Sequence, residues 1–384
     1  MASALNYEYD FILYRETLVF GAISSDILRR ASGVSKYRKT RLFLVECLEE
    51  FSNYAKNYTA TYDLEILLVQ SLQEIKYIIL KNGIANQIIV THTWPTTLFS
   101  AVPVFRYTNL VLIEDLLPLS DRLPSGIKNQ RYIDRILTKK VSIRMITFRY
   151  RRAIHFAKVY FAISDSQEYV MKKYYGLQSD DVVYAPVDDR FFHYSESERT
   201  SLMVFGTPDK DVIRCVFNSV GSGKIKEIII VNSDLSPADV SVSDVKITKI
   251  RNYTFQEISD IYRRTLLSIT CESRGSFELT PIESIISGVP IISPAVPSLK
   301  VLTNRLDSSG LQKEQKVYPF FDYINLIGKC KKKKISKELV DWYFEVENQR
   351  EFFSTLCNKI FSIDEIGRDF IVKVEQHLFQ LSEK

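Results

Sequence analysis

Short β-branched runs alternate with stretches of helical periodicity along most of this chain, and that alternation leaves few folds open. It is the pattern of βαβ units, whose strands lie parallel with helices on the sheet faces. In the first half, Asp10 to Tyr14 reads as a strand, and Arg41 to Tyr54 as a helix with Leu42, Val45, Leu48 and Phe51 on one face. Leu64 to Val69, Gln87 to Thr91 and Leu110 to Ile113 read as strands. A helical stretch from Tyr132 to Phe156 then leads to a strand from Val159 to Ser164 and a helix from Ser166 to Tyr175. A second series follows, with strands at Leu202 to Phe205, Glu227 to Val231, Val245 to Ile250, Leu266 to Thr270 and Val289 to Ser293. Helices are expected between them at Asp209 to Val220, Thr254 to Arg264 and from Pro281 onward. Two similar α/β halves joined near Asp188 to His193 is the economical arrangement. A last helix, from about Phe361 to Lys384, carries Phe370, Val374, His377 and Leu378 on one side.

Length and composition agree with this. The 384 residues suffice for two domains, and 46% hydrophobic with 25% charged residues is globular usage, which excludes disordered and collagenous chains. No apolar run approaches the ~18 residues of a membrane-spanning helix. The stretch Met1 to Asp10 has neither the basic start nor the apolar core of a signal peptide, and Ala2 does not accept a myristoyl group. The five cysteines, Cys47, Cys215, Cys271, Cys330 and Cys357, stand far apart with no C-x-x-C pair, which reads as reduced thiols in a cytoplasmic protein. The four histidines are equally scattered, so no metal cluster is expected.

Charge is uneven. The formal excess is only +5, from 51 basic and 46 acidic residues. Yet Lys139, Lys140, Arg144, Arg149, Arg151, Arg152 and Lys158 crowd one segment, interleaved with Ile143, Met145, Ile146, Phe148 and Tyr150. Such a face suits an anionic membrane surface or a polyanion, and a solvated helix face is the plainer alternative. A second run, Lys329 with Lys331 to Lys334, reads as a solvated loop.

The most informative stretch runs from Cys271 to Pro290. Thr280 is a natural N-cap, Pro281 fits the first helical position and Glu283 the third, which spells a capping box with a proline start. Gly288 then stops the helix before Val289-Pro290-Ile291-Ile292 resumes a strand. Free backbone N–H groups at a helix start, at the carboxyl end of a strand, are where α/β sheets hold phosphates. A capping box without any ligand is the alternative.

Ser276-Phe277, Leu279, Glu283-Ser284 and Gly288-Val289-Pro290-Ile291-Ile292 resemble the signature of retaining nucleotide-sugar glycosyltransferases of the GT-B fold, glycosyltransferase family 4. The resemblance implies two Rossmann-like domains facing each other across a cleft. The first, residues 1–190, would take the acceptor, and the second, 191–363, the nucleotide sugar. Residues 364–384 would return as a helix to the first domain. It gives Glu283 the donor ribose, and Leu279 and Thr280 the diphosphate. The first glutamate of the family's E-x7-E falls on Gly275, leaving Glu272 and Glu278 as carboxylates for the sugar. Gly33, in Ser32-Gly33-Val34-Ser35-Lys36-Tyr37, resembles the glycine loop near the donor phosphates, followed by an amphipathic helix. Val111 to Pro118 resembles V-x-x-H-D-L-x-P, with Glu114 at the histidine position beside the anomeric carbon. Asn252 to Thr270 resembles the segment in which a tyrosine, here Tyr262, precedes a strand. In Phe205-Gly206-Thr207-Pro208-Asp209-Lys210, Thr207 takes the place of a family arginine and Lys210 is the nearest cation for the diphosphate.

Asp209-x-Asp211 matches a metal-binding D-x-D, but two acids in a first helical turn are more simply dipole partners. Gly221-Ser222-Gly223-Lys224 is not a P-loop and reads as a turn. The expectation is a metal-independent transferase, without a cofactor beyond a UDP- or GDP-sugar donor. Its acceptor would be a glycan, lipid or protein, and Lys139 to Lys158 would make a peripheral membrane contact. The alternatives are a catalytically degenerate GT-B-like partner subunit and, last, a nucleic-acid binder, for which no module is present.

Overall fold

A computed structural model describes residues 7–14, 22–81, 87–92, 104–105, 108–114, 151–152, 154–221, 223–240, 245–251, 253–271, 277–308, 317–330 and 337–383. The chain divides into two compact units, Met1–Pro186 with Ile363–Lys384, and Val187–Ser362.

The N-terminal unit holds β1 (Tyr9–Tyr14), α1 (Ala22–Ser35), β2 (Thr40–Val45), α2 (Glu49–Thr59), β3 (Leu64–Val69), α3 (Leu72–Lys81), β4 (Ile88–His92), β5 (Asn109–Glu114), β6 (Val159–Ala162), α4 (Asp165–Val170, continued as a π-helical turn Met171–Tyr175) and β7 (Asp181–Val182). All pairings are parallel, in the order β3-β2-β1-β4-β5-β6-β7. Alternate residues serve opposite faces, as a pleated strand requires. Ile12, Leu110, Leu112 and Tyr160 pack with Ile75 and Ile79 of α3 and with Met171. On the other face Phe11 and Phe161 meet Phe370, ring centroids 6.1 and 5.8 Å apart.

The C-terminal unit holds β8 (Ser201–Phe205), α5 (Lys210–Val216, continued as a π-helical turn Phe217–Gly221), β9 (Glu227–Val231), β10 (Lys246–Ile250), α6 (Phe255–Arg264), β11 (Thr265–Thr270), α7 (Thr280–Ile286), β12 (Ile291–Ser293), α8 (Pro297–Ser308), β13 (Phe320–Asp322), α9 (Tyr323–Cys330), α10 (Lys337–Glu347) and α11 (Arg350–Phe361). Its parallel sheet runs β10-β9-β8-β11-β12-β13. Val187 pairs with this unit's end, its N–H donating to the Phe361 carbonyl at 2.7 Å. The final helix, α12 (Ile363–Ser382), belongs to the N-terminal unit and lies along α1.

Two expectations for the N-terminal unit are corrected. Residues 41–54 are not one helix: β2 ends at Val45 and α2 starts at Glu49. Every residue of β2 is buried, so its apolar part, Leu42 to Val45, runs without polar alternation, and such a run contains the i, i+3 spacing of Leu42 and Val45 by accident. The register settles it, since Arg41 lies opposite Asp10 on β1 and donates to both its carboxylate oxygens, at 2.8 and 3.0 Å. Burial pushes the Asp10 carboxyl up, and the guanidinium opposes that. The second correction concerns Gly33, which is no loop glycine. It sits near the end of α1, where a Cβ would stand 2.4 Å from the Ile363 carbonyl oxygen and 3.2 Å from the Gly367 Cα. The expected helix at 132–156 lies outside the described residues except for 151–152 and 154–156, of which 151–152 and 154 are helical.

Helix α1 also buries charge. The Asp26 carboxylate is 2.7 Å from Arg30 Nε and 3.0 Å from His92 Nε2. Arg30 donates onward to the Val183 carbonyl (3.2 Å), and Arg29 to that of Pro186 (3.1 Å). Burial raises the Asp26 pKa, but Arg30 and the His92 hydrogen bond overcome it and hold the carboxyl at about 2. An unfolded aspartate titrates near ~3.9, so Asp26 stabilises the fold fully above that pH and loses its contribution as pH falls through 2. The effect is about 2 kcal/mol. Thermal unfolding followed from pH 5 to 2, with ~1-unit steps, should show a shallower acid limb in Asp26→Asn than in the parent. Parallel limbs would refute the assignment.

Candidate functional site

The C-terminal sheet places the expected donor residues. From β8 the chain proceeds outward to β9 and β10, then returns past β8 to β11 on its other side. That reversal is a topological switch point, and ligands of open α/β sheets bind outside the carboxyl ends of the strands there. Phe205 and Thr270, the last residues of β8 and β11, are register partners. The loops that begin at Gly206 and Cys271 therefore leave the sheet side by side.

In the first loop Gly206 takes φ +67°, a left-handed turn that suits glycine, and its N–H donates to the Val231 carbonyl at 3.2 Å. Thr207 is exposed, and its hydroxyl accepts from the Asp234 N–H at 3.3 Å. Asp209 caps α5 by accepting from the Asp211 N–H at 2.9 Å, while its own N–H donates to the Tyr323 phenol oxygen at 2.8 Å. The D-x-D pair is thus used as a cap, and no cluster of three metal-ligating side chains forms among the described residues. Lys210 is exposed with its ammonium 3.3 Å from Asp239. Asp239 is held at about 2, first by the Ser236 N–H and hydroxyl and then by Lys210. An exposed pair of this kind is weak and leaves the ammonium available to a stronger anion.

The second loop resumes after residues 272–276, so Glu272 lies outside the described residues. Phe277 is buried against Phe361, with centroids 5.9 Å apart. The Glu278 carbonyl accepts from Ser298 Oγ at 2.6 Å, and the Glu278 side chain is half-buried. Here the capping box is corrected. Helix α7 already includes Thr280, and Leu279 precedes it in helical conformation (φ −81°, ψ −32°) with no side-chain cap. A capping hydroxyl must swing over the first turn from an extended residue, and a threonine inside the helix cannot do so. The α7 start is fixed differently: Tyr262 Oη donates to the Thr280 carbonyl at 3.3 Å, and its buried ring packs against Phe192 and Phe205. Ser284 ties α7 to the sheet, its hydroxyl 2.6 Å from that of Ser268 and donating to the Val289 carbonyl at 2.9 Å. Glu283 stands half-buried on this same short helix. Gly288, at φ +73°, ends the turn that follows.

Gly206, Thr207, Lys210, Glu278, Leu279, Thr280 and Glu283 are therefore gathered at one end of one sheet, although the sequence separates them into two segments. Gly33 and Glu114 belong to the N-terminal unit. Glu114 is the last residue of β5, and its side chain lies outside the described residues. Sequence reasoning missed the buried Asp26–His92 pair at the carboxyl end of β4. His92 looked isolated, and nothing marked Asp26 as its partner.

No protein-family model matches the chain, and no curated protein matches it by sequence. Solved structures do match. A sucrose-phosphate synthase from Thermosynechococcus elongatus superposes over 98% of this chain and all of its own (100%), with TM-score 0.66 and 9% identity. The lipopolysaccharide outer core galactosyltransferase WaaB covers 96% of this chain and 99% of its own, with TM-score 0.54 and 11% identity. A UDP-GlcNAc 2-epimerase from Neisseria meningitidis, solved bound to UDP-GlcNAc, covers 96% and 100%, with TM-score 0.50 and 10% identity. At these identities the likeness shows the fold, an α/β chain of the GT-B class with two parallel sheets.

Proposed function

We propose that this chain is a retaining, metal-independent glycosyltransferase that takes a sugar from a UDP- or GDP-linked donor and passes it to a hydroxyl of a glycan, lipid or protein. The observation that supports this most is the meeting of residues 206–210 and 278–283 at the switch point of the C-terminal sheet. The hard step breaks the anomeric C–O bond, with negative charge growing on the leaving diphosphate. The backbone N–H groups of the loop at Leu279 and Thr280, with Lys210, would receive that charge, and one preorganised donor is worth about 3 kcal/mol. Glu283 would hold the ribose. Glu278 or Glu272 would contact the sugar, and Glu114 would be the acceptor-side carboxylate near the anomeric carbon. Retention would follow from front-face attack with the departing phosphate as base.

Calorimetric titration of the full chain with UDP and with GDP tests this directly. One of the two should bind, and Glu283→Ala should weaken that binding about tenfold, with Lys210→Ala as a second, surface variant. Donor hydrolysis by the parent chain should follow. If neither nucleotide binds, the transferase proposal fails in favour of a non-catalytic GT-B-like partner subunit. That reading draws on Thr207 at the basic position and on the engagement of Lys210 by Asp239.

A further inference from the structure

A further segment reaches the carboxyl end of the C-terminal sheet at the junction of β13 and α9, which no sequence motif marks. Asp322, the last residue of β13, is the register partner of Ser293 at the end of β12. The sheet is parallel, so Tyr323 starts α9 at the same end from which the loops at Gly206 and Cys271 depart. Asp322 fixes that start, accepting from the Ile324 N–H at 2.9 Å and from Asn325 Nδ2 at 2.8 Å. The Tyr323 side chain is buried, α9 packs on α5, and the phenol oxygen accepts from the Asp209 N–H at 2.8 Å.

The loop between β8 and α5 has few backbone N–H groups to spare, and Pro208 has none. That of Gly206 goes to the Val231 carbonyl and that of Asp209 to Tyr323, while that of Thr207 meets no acceptor among the described residues. On the β9 side the loop is tied only by exposed groups, the Thr207 hydroxyl to the Asp234 N–H and Lys210 to Asp239. Tyr323 is the buried tie, and it comes from the other side of β8 in the strand order. Burial pushes its phenol up to about 12; the Asp209 N–H opposes this and Cys271 adds to it. The oxygen therefore stays an uncharged acceptor at neutral pH and sets no negative charge against an incoming phosphate.

We propose that Tyr323 is a positioning residue for the diphosphate of the nucleotide donor: its phenol holds residues 206–210 in the shape that presents the Thr207 N–H and the Lys210 ammonium to phosphate oxygens. The inference rests on the donor reading above and adds to it a residue that acts through Asp209 rather than on the ligand. A loop ordered in advance spares the ligand the cost of ordering it. A peg between two helices needs only the ring, which phenylalanine supplies equally well. What the hydroxyl adds, among the described residues, is the one hydrogen bond to this loop.

Calorimetric titration of the full chain with UDP, GDP, UMP and GMP tests this. Tyr323→Phe should weaken binding of the preferred nucleoside diphosphate about tenfold, with an unchanged circular dichroism spectrum. Affinity for the matching monophosphate should change by less than ~twofold, because a loop that serves the second phosphate is not needed for the first. Hydrogen exchange in the parent chain gives a second readout that needs no variant. Saturating diphosphate should slow exchange of the 206–211 amides about tenfold, and monophosphate should slow it less. If the parent binds a diphosphate and Tyr323→Phe binds it equally well, the inference is overturned and the donor reading stands. Equal losses for mono- and diphosphate would make Tyr323 a prop of the whole unit and overturn the inference too, as would unchanged exchange at 206–211. A parent that binds neither UDP nor GDP removes the donor reading and this inference with it.

Discussion

Gly33→Ala destabilises the N-terminal unit by about 3 kcal/mol, whereas Gly328→Ala, the same change on another helix, is neutral or stabilising by up to ~1 kcal/mol. Both glycines lie in helices, where alanine gains from lower backbone entropy cost and better propensity. They differ in what a methyl group meets. At Gly328 nothing lies within 4 Å. At Gly33 the new Cβ would be 2.4 Å from the backbone oxygen of Ile363, and at Gly367 it would be 2.6 to 2.9 Å from the backbone of Gly33. No rotamer relieves a clash with backbone, so α12 must move off α1. That movement strips Phe370 from Phe11 and Phe161, and each buried aromatic contributes about 1.5–3 kcal/mol. For a unit of this size the unfolding midpoint should fall by roughly 6–12 °C in differential calorimetry. A Gly33→Ala midpoint within a degree or two of the parent, about the noise of such scans, would mean that the helices do not rely on this close approach.

Much of the fold was legible because strands buried on both faces advertise themselves. β8, β9 and β11 fall within a residue of the apolar runs that marked them, and the parallel order follows from the helices between them. The same property hid β2, whose continuous burial mimicked a helical face. Helix α1 was invisible for the opposite reason. Asp26, Arg29, Arg30 and Ser32 are buried on it beside Ile27, Leu28, Ala31 and Val34, so no polar-apolar period survives. Binary patterning assumes that buried positions are apolar, and buried ion pairs break that assumption.

At the candidate site, residue types were legible but local geometry was not. Thr280, Pro281 and Glu283 have the spelling of a capping box, yet the Tyr262 hydroxyl and Ser298 hold this loop from elsewhere in the sequence. Spelling reports what a segment can do alone, and tertiary hydrogen bonds chose another start for α7. Gly288 was read correctly as the residue that stops the helix, because positive φ is a demand that few other residues meet. The convergence of the two candidate segments came only from strand order, which no local pattern encodes.

Strand order also explains the second large effect, expected at Arg199. Its guanidinium is buried and donates to four carbonyls: Tyr262 (2.9 Å) and Thr265 (3.0 Å) through one nitrogen, Ser195 (3.1 Å) and Ser287 (2.9 Å) through the other. Tyr262 lies in the last turn of α6, and Ser287 directly follows α7, so one cation serves the negative ends of two helices. Burial, with the like charge of Arg350, lowers its pKa to about 10, which leaves it charged at neutral pH. Arg199→Met should cost the C-terminal unit about 3–5 kcal/mol, since the carbonyls lose a charged donor that water cannot replace inside the core. Arg199→Lys should recover only part of this, because an ammonium is a point donor and lacks the planar fork that spans four acceptors. A loss under ~1 kcal/mol in Arg199→Met would show the carbonyls to be satisfied otherwise. Because Arg199 grips the far end of the helix that carries Glu283, its loss should also weaken any UDP or GDP binding. Gly33→Ala, acting in the other unit, should leave that binding intact in the folded protein, so the pair separates damage to the candidate site from damage to the fold.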